Sequence, residues 1–250
     1  MATTADVYRY WQAGSCGTEH ASSPAHTRAY YDEIEAARYK LEPFIPGFAE
    51  FDRWRGQRVL EIGVGAATDF INFARAGADV HGIDLTDAAV EHARQRLELE
   101  GLNGDVQVSS GESVPYPDQS FDLVYSWGVI QHAEHPAKVV QEARRVLAPG
   151  GELRAMLYGR HSWVAYGLWA RHALLAGHPS RSLSDVVASH MQGPGTNAYT
   201  RGELEMLFSG AGFERVRVLG FPTPYDREVA GPLARVVRMD WFLGVLASSF

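Results

Sequence analysis

One cysteine in 250 residues, Cys16, excludes an internal disulfide and any site built from several thiolates. No apolar run reaches the roughly 18 to 20 residues that cross a bilayer. The nearest, "WFLGVLASSF" at the C-terminal end, has the length of a buried strand. The first residues lack the basic and apolar regions of a secretory signal, so the expectation is a cytoplasmic protein with no membrane partner. Basic residues are scarce: 23 Lys and Arg against 30 Asp and Glu give a net charge of −7. That balance speaks against nucleic acid as a partner, which is held by a basic field. Ten histidines are present, but no H-x-x-x-H pair or carboxylate cluster accompanies them, so no metal is expected. Repeats and low-complexity tracts are missing too. One α/β domain is the default at this length.

What is there is a rhythm. Four strand-like runs, "RVLEIG" (58–63), "DVHGID" (79–84), "DVQVSS" (105–110) and "FDLVYSW" (121–127), alternate with helical patterns. A βαβ alternation of this kind predicts a parallel sheet covered on both faces. "TDFINFARAG" places Phe70, Phe73 and Ala74 on one stripe and stops at Gly77. A second helix is capped by Thr86 and stopped by Gly101. A third, from Pro136, turns Val139, Val140, Ala143 and Leu147 inward and ends in a Pro-Gly-Gly turn feeding "ELRAMLY". Residues 159–199 then break the rhythm, an insertion of the length used for lids and substrate walls. A helix at 200–211 and strands near 214–220 and 240–247 resume it. Residues 26–53 read as one or two amphipathic helices interrupted at Pro43 and Pro46. The division expected is an N-terminal arm with helices over 1–55 acting as a lid, and a main domain over 56–250 with a cap insertion at about 159–199.

The stretch "RVLEIGVGAATDF" carries the most chemistry. Strand, glycine turn and helix follow in order, and Gly63 and Gly65 let backbone approach a ligand at a helix N-terminus. The dinucleotide pattern G-x-G-x-x-G fails, because its last position is Thr68. A nicotinamide cofactor is therefore disfavoured. Glu61, two residues ahead of Gly63, would repel a pyrophosphate and attract an ammonium. Asp84 ends the second strand about 20 residues later, where a carboxylate accepts from both hydroxyls of a ribose. Ribose, ammonium and no phosphate describe S-adenosylmethionine. Taken singly, Glu61 also reads as a helix-end charge, Asp84 as a turn former and "SVPYPDQSFD" as a surface loop.

Together, "VLEIGVGAATDF", "VHGIDLT", "ESVPYPDQSFDLVYSWGVIQHAEHP" and "EARRVLAPGGEL" resemble the successive motifs of class I S-adenosylmethionine-dependent methyltransferases, particularly the small-molecule branch, over roughly residues 56–157. The resemblance implies a Rossmann-like, doubly wound seven-stranded sheet with its last strand antiparallel. It also implies roles: Glu61, Gly63, Gly65 and Thr68 around the methionine end, Asp84 on the ribose and Leu85 on the adenine. Gly111 and Glu112 would sit at the adenine edge, and Ser126, Trp127 and Gly128 would pass under the sulfonium. Two departures stand out: Ala67 replaces the third glycine of the turn, and Ser110 replaces a carboxylate often found after the third strand.

Methyl transfer from a sulfonium is an in-line displacement that depends on positioning, with a base where the nucleophile starts protonated. His132, after the fourth strand, is a candidate base or hydrogen-bond partner, with bracing of its loop as the alternative; His135 reads as an exposed turn residue. Tyr158, at the carboxyl end of the fifth strand, is a candidate for orienting substrate. In the insertion, Tyr166 and Trp169 share a helix face and are expected to pack, whereas His190 and Tyr199 are candidate substrate contacts. In the N-terminal segment, Trp11, Cys16 and Tyr31 are lid candidates, and Arg38 is placed to reach the cofactor carboxylate. The alternative is an arm packed on the sheet edge, with Cys16 a small hydrophobe. The expected function is methyl transfer to oxygen, nitrogen or carbon of a small molecule by a monomer or homodimer. The rival readings are a cyclase or decarboxylase on the same scaffold and a non-catalytic nucleotide sensor.

Overall fold

The computed structural model describes residues 3–249 except 192, 222, 232–238 and 240. Seven strands form one sheet in the order β3-β2-β1-β4-β5-β7-β6. They are β1 (Arg58–Ile62), β2 (Asp79–Asp84), β3 (Asp105–Val108), β4 (Phe121–Trp127), β5 (Leu147–Tyr158), β6 (Arg217–Phe221) and β7 (Phe242–Ser248). β1 to β5 pair in parallel, and β7 runs antiparallel to both β5 and β6. The order reverses between β1, which pairs with β2, and β4, and an α/β sheet opens its ligand crevice at such a switch point.

The helices are α1 (Thr4–Gln12), α2 (Arg28–Leu41), α3 (Ile45–Ala49), α4 (Thr68–Arg75), α5 (Asp87–Glu100), α6 (Pro136–Val146), α7 (Trp163–Trp169), α8 (Leu183–His190), α9 (Arg201–Gly210) and α10 (Pro224–Ala230). Strand periodicity decides which face each core residue meets. On β4, Leu123, Tyr125 and Trp127 join one cluster with Phe48, Phe70 and Phe73; Val124 joins the other with Val139, Val140 and Phe208. Both sheet faces are thus buried, as parallel strands require. Thr86 caps α5 by accepting from Ala89 N, and Gly101 ends it in the left-handed region.

Several boundaries differ from the sequence expectation. β3 stops at Val108, because Ser109 N turns to donate to Asp84 O and Ser110 Oγ accepts from Glu112 N. β5 begins already at Leu147, opposite Phe121, and its Pro-Gly-Gly step is absorbed as a register shift before Glu152 meets Leu123. The start of the final strand expected at 240 lies outside the described residues; β7 is described from Phe242.

Residues 28–54 are built into the domain: Phe48 and Trp54 belong to the main core. Glu35 on α2 pairs with Arg96, which is fully buried, and with Arg75 at 2.7 Å, pinning α2 to α4 and α5. That anchorage fixes the position of Arg38, one turn further on.

Candidate functional site

A cavity of about 400 Å³ opens at the carboxyl ends of β1, β2 and β4 and is covered by α1 and the segment after it. Its floor is the turn after β1. Gly63 has φ +85 and donates its N–H to Ile83 O at 2.7 Å. A Cβ there would meet Val129 Cγ2 at 2.2 Å, so only glycine fits. Gly65 also has a positive φ, but a Cβ on it would meet nothing within 4 Å. Ala67 adopts φ +60 at the N-cap of α4, a conformation that glycine would hold without strain.

Seven acidic residues line this cavity, and four of them, Glu42, Glu61, Asp69 and Asp84, gather around Arg38 and the turn after β1. Asp84 is held by Gly65 N at 3.1 Å, Thr86 N at 2.9 Å and Thr86 Oγ1 at 2.8 Å. Burial nevertheless raises its pKa above the ordinary aspartate value. Asp69 accepts from Arg38 Nη2, Tyr39 OH and Tyr125 OH, each at 3.0 Å. Glu42 accepts the Trp127 indole N–H at 2.7 Å. Glu61 is only 3% exposed, and its Oε2 has no hydrogen-bond partner among the described residues. Burial, then the charges of Asp69 and Asp84, push its pKa well above the usual carboxylate range, with Arg38 opposing.

Two buried groups at the same end also lack a partner among the described residues, Arg38 Nε and Ser15 Oγ. Both residues line the cavity. An orphaned carboxylate oxygen, an orphaned guanidinium N–H and a hydroxyl together suit the ammonium and carboxylate of an amino acid. This donor set fits the methionine portion of S-adenosylmethionine, and the Asp84 end fits its ribose.

Most of the residues singled out in the sequence converge here. Glu61, Gly63, Gly65, Thr68, Asp84, Leu85, Gly111, Glu112, Trp127, Gly128, Arg38, Trp11, Cys16, His132 and Tyr158 all line the cavity. His132 is 5% exposed and its pKa is lowered to about 4 by burial. Its Nδ1 lies 3.2 Å from Thr196 Oγ1; while that hydroxyl donates to Gly193 O at 3.0 Å it accepts from Nδ1–H, the tautomer that leaves the lone pair on Nε2. Trp11 meets the His132 ring edge-on at 5.4 Å. Tyr158 stacks on Trp241 at 4.4 Å, and burial raises its phenol.

Four residues lie elsewhere. Ser126 is in β4 and donates to Ile62 O at 3.2 Å, so it joins two strands and does not line the cavity. Tyr31 is not a lid residue by position: its hydroxyl meets His92 Nδ1 and His26 Nδ1, each at 3.2 Å, between α2 and α5. His190 stacks on His172 at 4.0 Å on the exposed side of the insertion. Tyr199 donates its N–H to Tyr158 O and packs on the opposite core, closing the base of the insertion by a bridge to Gly159. Trp169 is half-buried and its Nε1 donates to Arg181 O at 2.8 Å, whereas Tyr166 stays exposed, with its hydroxyl 2.9 Å from His161 Nδ1.

Sequence reading missed Asp69, Glu42, Tyr225, Trp241 and Phe242, all of which line the cavity. An acid placed directly after the glycine turn was a usable signal for Asp69. Glu42 gave none, and the other three lie more than 60 residues beyond the motifs. The N-terminal segment was expected as an arm and contains a helix, α1, whose Thr3 and Asp6 form a reciprocal capping box. Thr4 N and Oγ1 each donate to Glu134 Oε2 at 2.8 Å, and Tyr8 OH donates to Asp87 at 3.0 Å, so α1 bridges the loops after β2 and β4.

Residues 60–155 match the family model described as a methyltransferase domain. The chain is 33% identical over 109 residues to a ubiquinone biosynthesis O-methyltransferase of Roseobacter denitrificans, which covers 41% of this chain and 44% of that one. It spans about half the length of the curated relatives it matches. A solved S-adenosylmethionine-dependent methyltransferase from Aquifex aeolicus aligns with a TM-score of 0.60 at 19% identity, over 88% of this chain and 97% of that one. The [4+2]-cyclase SpnF aligns with a TM-score of 0.65 at 16% identity, over 99% and 97%. At such identities these two structures establish the fold alone. Residues 60–155 thus match a methyltransferase domain, and the seven-stranded sheet around them has the fold of the solved S-adenosylmethionine-dependent methyltransferases.

Proposed function

We propose that the protein transfers a methyl group from S-adenosylmethionine to oxygen, nitrogen or carbon of a small-molecule acceptor. The observation that carries this reading is Glu61, a buried carboxylate with an unpartnered oxygen beside the glycine turn, in one cavity with Arg38 and Asp84. Glu61 holds the cofactor ammonium, Arg38 its carboxylate and Asp84 its ribose hydroxyls, while Gly63 and Gly65 allow the backbone close approach. Leu85, Gly111 and Glu112 border the adenine. Trp127 and Gly128 form the wall beneath the reacting carbon. The bound cofactor supplies an electrophilic methyl on sulfur, and these residues hold it in line with the acceptor.

His132 and Tyr158 orient the acceptor by hydrogen bonding. A histidine with a pKa near 4 is neutral at physiological pH and offers Nε2 as an acceptor. Residues 3–20 and the 159–199 insertion act as the cover. The ties from Thr4 to Glu134 and from Tyr8 to Asp87 support that role, as does the closed base of the insertion. The net charge of −7 favours a small-molecule partner over nucleic acid. No helix among the described residues is long and apolar enough to cross a membrane, and we place the reaction in the cytoplasm.

The test is incubation with methyl-labelled S-adenosylmethionine and a panel of phenols, amines and activated carbon acids. Label in a small-molecule product is expected. Tight cofactor binding, with label in no product and a ring-closed or decarboxylated product from the same panel, would replace methyl transfer with the cyclase or decarboxylase reading.

A further inference from the structure

Of the cavity acids packed around Arg38 and the turn after β1, namely Glu42, Glu61, Asp69 and Asp84, three have their charge answered. Asp84 accepts three hydrogen bonds and Asp69 another three. Glu61 receives the cofactor ammonium in the reading above, on which this inference rests. Glu42, just past the end of α2, is the remainder. Its Oε2 takes one neutral donor, the Trp127 indole, while Arg38 Nη1 stays 3.9 Å away, beyond hydrogen-bond reach. Arg38 is committed instead to Asp69 at 3.0 Å. Oε1 accepts nothing from the described residues. With one indole N–H and only a long ion pair to Arg38, the half-buried Glu42 carboxylate has room on Oε1 for a further donor.

Its neighbourhood says what that partner is. Tyr225 and Tyr158 both lie within its field: burial and then the Glu42 charge raise the Tyr225 phenol, and burial, Cys16 and Glu42 raise that of Tyr158. Tyr158 stacks on Trp241 and Phe242, and Phe242 in turn meets Trp127 edge-on at 6.4 Å. The cavity beside Glu42 is therefore walled by aromatic rings, a surface that selects flat apolar bodies.

We propose that Glu42 faces the methyl acceptor and takes the proton of its nucleophile, and that the acceptor is a ring compound carrying a hydroxyl or amine. The bond from acceptor oxygen or nitrogen to the methyl carbon forms as the carbon–sulfur bond breaks, its electron pair stays on sulfur, and the acceptor's proton passes to Glu42 Oε1. Burial raises the Glu42 pKa against the opposing charge of Arg38, with Asp69 reinforcing it, which suits a proton acceptor. His132, lowered to about 4, stores no proton at neutral pH. Glu42 thus acts as base and His132 as a fixed hydrogen-bond acceptor.

The test uses 4-nitrophenol, whose ionisation is read from its absorbance, with protein saturated by S-adenosylhomocysteine. The expected result is saturable binding with the bound phenol's apparent pKa raised by about one unit or more, because the adjacent carboxylate favours the protonated form. In Glu42→Gln the shift shrinks or reverses. In Glu42→Asp, which keeps the charge, it survives in part and guards against a misfolded glutamine variant. Equal ionisation of the bound probe in wild type and Glu42→Gln would overturn the assignment of Glu42. Failure of 4-nitrophenol to bind the S-adenosylhomocysteine complex would overturn the ring-plus-hydroxyl class. Failure of S-adenosylhomocysteine itself to bind would instead overturn the underlying cofactor reading, and calorimetry on the same sample separates these cases.

Discussion

Replacing Glu61 by Gln is expected to weaken the cofactor complex and strengthen the free protein. Glu61 is 3% exposed with Oε2 unpartnered, and its charge is opposed by burial and by Asp69 and Asp84. The amide is nearly isosteric but carries no charge to desolvate. Relief of an unsatisfied buried group is worth about 1 to 3 kcal/mol. A gain of about 2 kcal/mol shifts the melting temperature of a domain this size upward by roughly 4 to 8 °C. The sign follows from linkage. Because the folded pKa of Glu61 is raised, its carboxyl costs the fold nothing below the unfolded value, about 4.5, and increasingly destabilises it as pH rises. The stability gain of Glu61→Gln is therefore absent at pH 4 and grows toward pH 8. Cofactor affinity moves the other way: loss of a charge-assisted hydrogen bond costs about 3 kcal/mol, or roughly 100-fold in Kd. Differential scanning calorimetry and isothermal titration on the two proteins read both numbers. A variant less stable than wild type at pH 8, or one that binds S-adenosylhomocysteine equally well, would refute the reasoning.

Asp84→Ala is expected to weaken S-adenosylmethionine binding by about 1 to 3 kcal/mol, measured by titration; unchanged affinity would remove Asp84 from the ribose. Gly63→Ala places a methyl against Val129 at a positive φ and should destabilise the fold by about 2 to 4 kcal/mol in urea unfolding. Gly65→Ala, whose Cβ meets open space, should cost only about 1 kcal/mol of stability yet impair cofactor binding. His132 is expected to make wild type acid-sensitive: its folded pKa is depressed from 6.5 to about 4, so its contribution is full above pH 6.5 and is lost as pH falls through that window. Relative to His132→Gln, wild type should lose about 3 kcal/mol between pH 7 and pH 4; parallel stability curves would contradict the buried neutral imidazole.

The parts of the site legible in the sequence are those whose function is local. Gly63 is forced by a backbone conformation, Asp84 by its place at a strand end, and Trp127 by the strand that carries it. β1, β2 and β4 were visible because strands buried on both faces read as apolar runs with little interruption. What stayed hidden depends on distant pairing. Tyr31 meets His92 across 61 residues, and no periodicity in either segment announces it. Trp241 reaches the cavity because β7 runs back beside β5, and Tyr225 because α10 packs against α7. Tyr199 looked free of an apolar pattern, yet its backbone pairs with Tyr158 and turns its ring to the other core. Glu42 sits between a helix end and Pro43, where an acid has an unremarkable solvent role; the Trp127 indole, 85 residues away, gives it another meaning.

The most direct measurement is calorimetric titration of the purified protein with S-adenosylmethionine, S-adenosylhomocysteine and NAD. One-to-one saturable binding of the two adenosyl ligands, lost in Glu61→Gln, with no binding of NAD, is the predicted result. A folded protein that binds neither adenosyl ligand, or that takes up NAD in their place, would contradict the assignment of Glu61 and Asp84 as the cofactor's anchors.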